Sequence, residues 1–178
     1  FTSSQSGERN RLLMAHSGVV TQLKTNVKIT QIEGKTDPDS QIYVRLGTAL
    51  YNTDLAEPDS WEGNIWAALN FGEDNRQKIF AYSLQKCLDE NVETWESLED
   101  GIIPVCADVA LDTWYGLEIV YDQANSQVTY RVLDDSGNEI GSVTHTDLPA
   151  YKGNCQDAYP SLTTAMDRNT GTSELYSI

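Results

Sequence analysis

Apolar and polar residues alternate along most of this chain and rarely recur at helical spacing. The runs 27–32, Ile42-Tyr43-Val44-Arg45-Leu46 and Leu117-Glu118-Ile119-Val120-Tyr121 each set apolar side chains on one face of an extended strand. Turn-forming clusters at 34–40, 72–75, 122–126 and 134–138 separate such runs. The pattern predicts strands over 19–33, 41–51, 63–71, 77–86, 102–109, 113–122, 126–134, 138–146, 159–166 and 172–178. With nothing helical of adequate length between them, the expected fold is all-β, an antiparallel two-sheet β-sandwich or jelly roll. One stretch departs from alternation. Leu88, Val92, Trp95 and Leu98 recur at helical spacing, which reads either as a short helix or as a loop tucked under one tryptophan.

A length of 178 residues fits a single sandwich domain over 1–178. The last segment, 172–178, reads as a strand still running where the sequence stops, so the expectation is a fragment of a longer extracellular protein. Acids outnumber bases 27 to 12, for a formal charge of −15. That balance repels a phosphate backbone, and no nucleic-acid partner is expected. No apolar run approaches the ~20 residues of a spanning helix, and no membrane insertion is expected.

The three cysteines, Cys87, Cys106 and Cys155, form no zinc-spaced cluster. Cys87 closes one apolar run and Cys106 opens the next, so a disulfide between them would pin the ends of the intervening excursion and indicate an oxidising, extracellular compartment; two buried free thiols are the alternative. Cys155 is then odd. It and the C-terminal strand are the features that offer self-assembly, by an intermolecular disulfide or by strand pairing.

The stretch Asp112-Thr113-Trp114-Tyr115-Gly116-Leu117-Glu118-Ile119-Val120-Tyr121-Asp122, followed by Val128-Thr129-Tyr130-Arg131-Val132 and Asp134-Asp135-Ser136-Gly137, resembles a passage common in concanavalin A-like domains of the laminin-G and lectin/glucanase kind. The front half, with Arg9-Asn10-Arg11-Leu12 and Ile42 to Gly47, is similar to bacterial extracellular domains of that superfamily. The resemblance implies two stacked antiparallel sheets and glycan binding on the concave sheet or in loops at one edge, sometimes with calcium. It implies no single activity, because this sandwich hosts lectins, adhesion modules, hydrolases and lyases.

The residues supply no catalytic motif. Glu118 and Asp122 share a strand face but do not reproduce the glucanase carboxylate pattern, and His16 and His145 lie in neither lyase context. Sugar recognition needs flat aromatic rings beside hydrogen-bonding side chains. In 64–71, Ile65, Ala67, Leu69 and Phe71 form one apolar face, which sets Trp66 and Asn70 on the other. The same alternation adds Tyr43 and Arg45, with Tyr82 and Glu118 as further candidates. For calcium, the acidic loops offer Asp37, Asp39, Asp134 and Asp135, although the 134–138 run also reads as a plain hairpin turn. The expected protein is a secreted or cell-surface, bacterial recognition module for a glycan. The rivals are a polysaccharide hydrolase or lyase of the same fold and a structural subunit of a surface assembly.

Overall fold

The structure, a computed structural model, describes residues 2–3, 9–14, 18–33, 41–54, 60–74, 77–92, 94–100, 103–155, 159–167 and 172–177. Thirteen strands follow one another: β1 (Thr2–Ser3), β2 (Arg9–Leu13), β3 (Gln22–Glu33), β4 (Gln41–Asn52), β5 (Asn64–Asp74), β6 (Gln77–Asp89), β7 (Thr94–Ser97), β8 (Ile103–Cys106), β9 (Trp114–Asp122), β10 (Gln127–Leu133), β11 (Glu139–His145), β12 (Ser161–Asp167) and β13 (Thr172–Ser177). They form two antiparallel sheets. The six-stranded sheet runs β1-β13-β3-β9-β10-β11, and the seven-stranded sheet runs β2-β12-β4-β5-β6-β7, with β8 also pairing β6.

Alternation explains the stacking. Val27, Ile29, Leu117, Ile119, Val128, Tyr130 and Val132 from one sheet meet Val44, Leu46, Ile65, Leu69, Phe71, Phe80 and Leu84 from the other, all buried in one core. Aromatic rings join the layers: Tyr51 stacks on Tyr121 at 5.0 Å, Tyr82 on Tyr130 at 4.4 Å, and Phe80 meets both Phe71 and Tyr115 edge-on at 5.4 Å. Burial of Tyr51 and Tyr82 pushes their phenols above the ordinary range, so both stay neutral, hydrogen-bonding groups. The Tyr51 hydroxyl donates to the Pro149 carbonyl and the Tyr82 hydroxyl to Glu99.

The stretch that resisted alternation is neither a helix nor a loop. Strand β6 continues to Asp89 and turns back into β7, with Lys86 opposite Glu96 and Cys87 opposite Trp95. Leu88 and Val92 sit exposed at the turn, so their helical spacing reflects no buried stripe.

The expected Cys87–Cys106 disulfide is absent, and all three cysteines are free. Cys106 stands opposite Phe80 on β6, seven register positions from Cys87. At ~3.3 Å per residue that is about 23 Å, far beyond the ~7 Å limit between disulfide-bonded Cα atoms. The compartment argument built on that bond goes with it.

The two features offered for assembly are both engaged internally. Strand β13 pairs with β3 on one side and, at Ser173 and Glu174, with β1 on the other. Cys155 is buried and donates to Asn64 Oδ1 at 3.1 Å; burial pushes its thiol up to about 12. Asn64 also accepts from Asn52, whose amide reaches the Glu62 carbonyl at 2.6 Å, so this polar knot fixes the loops at one end of the sandwich.

Candidate functional site

Because Ile65, Ala67, Leu69 and Phe71 point into the core, β5 must present Trp66, Ala68 and Asn70 on the outer face of the seven-stranded sheet. Strand β4 adds Arg45, Gly47 and Ala49, and β6 adds Ala81, Ser83 and Gln85, with Arg45 opposite Asn70, Gly47 opposite Ala68 and Ala68 opposite Ser83. A hydrogen-bonded line crosses the three strands. Arg45 Nε donates to Asn70 Oδ1 at 2.6 Å, and Asn70 Nδ2 donates to Ser83 Oγ at 3.1 Å. These bonds hold the guanidinium and amide in place, and both residues remain partly exposed.

Two outer-face positions from Asn70 along β5, opposite Ala49, stands Trp66, whose indole reaches across onto β4. A Cβ added at Gly47 would lie 2.9 Å from Trp66 Cζ2 and 3.1 Å from the Ala68 methyl. The ring therefore uses the space that a missing side chain leaves, and the small residues Gly47 and Ala68 take the position between Trp66 and the Arg45–Asn70 pair. A half-buried aromatic plate beside oriented donors and acceptors can bind a polyhydroxylated ligand.

Of the six residues expected at a ligand site, Arg45, Trp66 and Asn70 come together here. Tyr43 takes an outer-face register position opposite Ala165, and its side chain lies outside those described. Tyr82 does not belong to this face: it points into the core against Tyr130. Glu118 is on the other sheet, buried, accepting from Gln22 at 2.6 Å and paired with Arg131 at 3.4 Å. Glu118 and Asp122 are four residues apart along β9, about 13 Å by strand rise, too far for the ~5–9.5 Å of a glycosidase pair.

The two described candidates for calcium, Asp134 and Asp135, sit in the β10–β11 hairpin. Asp134 spends its carboxylate on its own hairpin: Oδ1 accepts from the Ser136 and Asn138 amides and Oδ2 from the Asn138 side chain. The Asn138 side chain, and then these amides, hold the Asp134 carboxyl below its ordinary value. Gly137 supplies the positive φ of 84° that the turn requires. Asp135 accepts from the Ser136 hydroxyl next to it at 3.4 Å, and among the described residues no three acidic, histidine or cysteine side chains converge as metal ligands. Asp37 and Asp39 lie outside the described residues.

Two clusters went unread in the sequence. Trp61 and Tyr159 meet edge-on at 6.4 Å and are both exposed at the loop end of the sandwich; each stands next to turn residues rather than within an alternating run, and that was the available signal. The second cluster closes one open edge between the sheets. Glu99, following β7, accepts from Tyr82 at 2.7 Å and bonds His145 Nδ1 on β11, above the Tyr82–Tyr130 stack. Burial alone would raise the Glu99 carboxyl, but the bonds from Tyr82 and His145 outweigh it and hold the value below the ordinary 4.5. Such a group adds stability above its unfolded pKa and loses it as pH falls through the folded one. Glu99→Gln should therefore melt lower than the wild type at neutral pH, with the gap closing as pH falls below the ordinary 4.5. A gap independent of pH, in thermal melts from pH 7 to 3, would contradict this role.

No protein-family model matches the sequence, and no curated protein matches it. Solved structures do match by shape. A legume lectin-like domain from Entamoeba histolytica superposes with a TM-score of 0.54 at 14% identity, over 99% of this chain and 81% of that one. The basic winged bean lectin solved with Tn-antigen gives 0.52 at 10% identity, over 97% and 78%. The CBM2 module of the Lactobacillus casei BL23 phage J-1 evolved Dit gives 0.47 at 13% identity; this chain covers 59% of its length and has 88% of its own covered. The chain thus has a two-sheet jelly-roll fold of the concanavalin A-like kind, and at these identities the likeness is one of fold alone. Among the described residues no helix is long and apolar enough to cross a membrane, which says nothing of β-barrels.

Proposed function

We propose that this protein is a non-catalytic glycan-recognition module whose ligand lies on the outer face of the seven-stranded sheet, stacked on Trp66 and hydrogen-bonded by Arg45 and Asn70. The observation that carries the reading is the placement of those three side chains around the small residues Gly47 and Ala68, with Gly47 leaving room for the indole. The shared fold supports it: the winged bean protein is a lectin solved with Tn-antigen, and the Entamoeba domain is described as legume lectin-like. A surface or secreted location in a bacterium accompanies the proposal, since a polymeric glycan is met there.

The test is a glycan array probed with the full chain, with and without chelator. Binding to a defined set of glycans, unchanged by chelator, is expected. Absence of binding to any glycan in either buffer would sink the reading, and binding lost on chelation would move the site to an acidic loop.

A further inference from the structure

The stretch that departs from alternation in the sequence brings a second tryptophan to the same face. Strand β7 ends the strand order of the seven-stranded sheet and pairs with β6, with Gln85 opposite Ser97 and Cys87 opposite Trp95. Leu84 and Leu98 pack into the core, so alternation turns Gln85 and Ser97, and with them Cys87 and Trp95, to the outer side. Trp66 on β5 stands opposite Gln85. One row of the outer face therefore reads Trp66, Gln85, Ser97, and Trp95 takes the next outer position on β7. Two strand spacings of ~4.8 Å and two residues of ~3.3 Å rise set the backbone positions of Trp66 and Trp95 about 12 Å apart. Both tryptophans are half-buried, and of the two uncharged residues between them Gln85 is half-buried and Ser97 exposed. Asn70 lies on the other side of Trp66, four residues along β5 from it. The line from Asn70 through Trp66 to Trp95 thus runs obliquely across three strands for about 22 Å.

A pyranose ring lays one face on an aromatic plate, and its hydroxyls take amides and hydroxyls as partners. Plates about 12 Å apart are farther from each other than one pyranose ring can span, whereas a chain of linked rings reaches both. We infer that the ligand of this face is a run of several linked sugars rather than a single terminal one, with one ring stacked on Trp66, a later ring on Trp95, and the hydroxyls between them bonded by Gln85 and Ser97. The inference rests on the sheet-face reading above and adds to it the length of the ligand and a second stacking residue, Trp95.

Titration calorimetry on the full chain tests it, with cello-, malto-, chito- and galacturono-oligosaccharide ladders, each from monosaccharide to hexasaccharide, as probes. In at least one ladder the affinity should rise at least tenfold from the monosaccharide to the hexasaccharide. Trp95→Ala should remove most of that rise while the disaccharide keeps its affinity, a selective loss that a general loosening of the fold would not produce. Trp61→Ala, at the loop end, should change neither. In the unmutated protein, the Trp95 indole resonance should shift on adding the hexasaccharide and stay in place with the monosaccharide, a readout that needs no variant to fold. A monosaccharide bound as tightly as its hexasaccharide, a Trp95 indole unmoved by the hexasaccharide, or a Trp95→Ala protein with its length dependence intact would each overturn the inference, and the sheet-face reading would still stand if Trp66→Ala abolished binding. No binding in any ladder would also overturn it; joined to a blank glycan array, that result would remove the underlying reading too.

Discussion

Replacing Phe80 by alanine should destabilise the protein by about 4 kcal/mol, within the range of ~3–5 kcal/mol for removing a fully buried phenylalanine. Phe80 is wholly buried and touches rings of both layers, Phe71 on its own sheet and Tyr115 on the other, each at 5.4 Å. The cavity left by the substitution would be bordered by Phe71 and Tyr115, both held in paired strands, which limits how far they can move in to fill it. Folded domains are stable by only about 5–15 kcal/mol, so the variant should stand close to unfolding. Urea denaturation should show a large fall in midpoint with the slope unchanged. A loss under 1 kcal/mol would mean that Phe80 does not join the two layers.

The second large effect concerns binding. Trp66→Ala should weaken glycan affinity at least tenfold, about 1.4 kcal/mol, and more if the ring is the central anchor of the site. The fold should survive, because the core is built from the opposite face of β5. Trp66→Phe should keep part of the affinity by preserving a flat apolar ring. Gly47→Val should mimic the loss without touching the tryptophan, since its side chain would occupy the place of the indole edge 2.9 Å away. Calorimetry with the best ligand from the glycan array, paired with thermal melts, separates lost binding from lost structure. Full affinity in a folded Trp66→Ala protein would remove the aromatic plate from the site.

The layered fold was legible because period-2 burial is local: each residue of β5 and β10 declares its face by its neighbours. The same logic placed Trp66, Asn70 and Arg45 on one surface before any pairing was known. It failed where the answer depends on register between distant strands. Glu118 alternates as correctly as Asn70, but its strand belongs to the other sheet, and only strand order tells the two apart. Tyr82 was ambiguous because β6 carries Ile79, Phe80, Ala81 and Tyr82 in succession, buried on both faces. The Cys87–Cys106 bond looked natural in sequence because Cys87 closes one apolar run and Cys106 opens the next, and the pairing of Cys106 with Phe80 separates them.

The central claim is that the ligand occupies the outer face of the seven-stranded sheet, and the exposed Trp61–Tyr159 pair offers a definite rival surface at the loop end. Amide and indole chemical-shift mapping by NMR, during titration with the best glycan ligand, distinguishes them directly. The account predicts that the Trp66 indole and the amides of Arg45, Gly47, Asn70 and Ser83 shift together while the Trp61 indole stays in place. Shifts confined to Trp61, Tyr159 and their loops, with Trp66 unmoved, would contradict it.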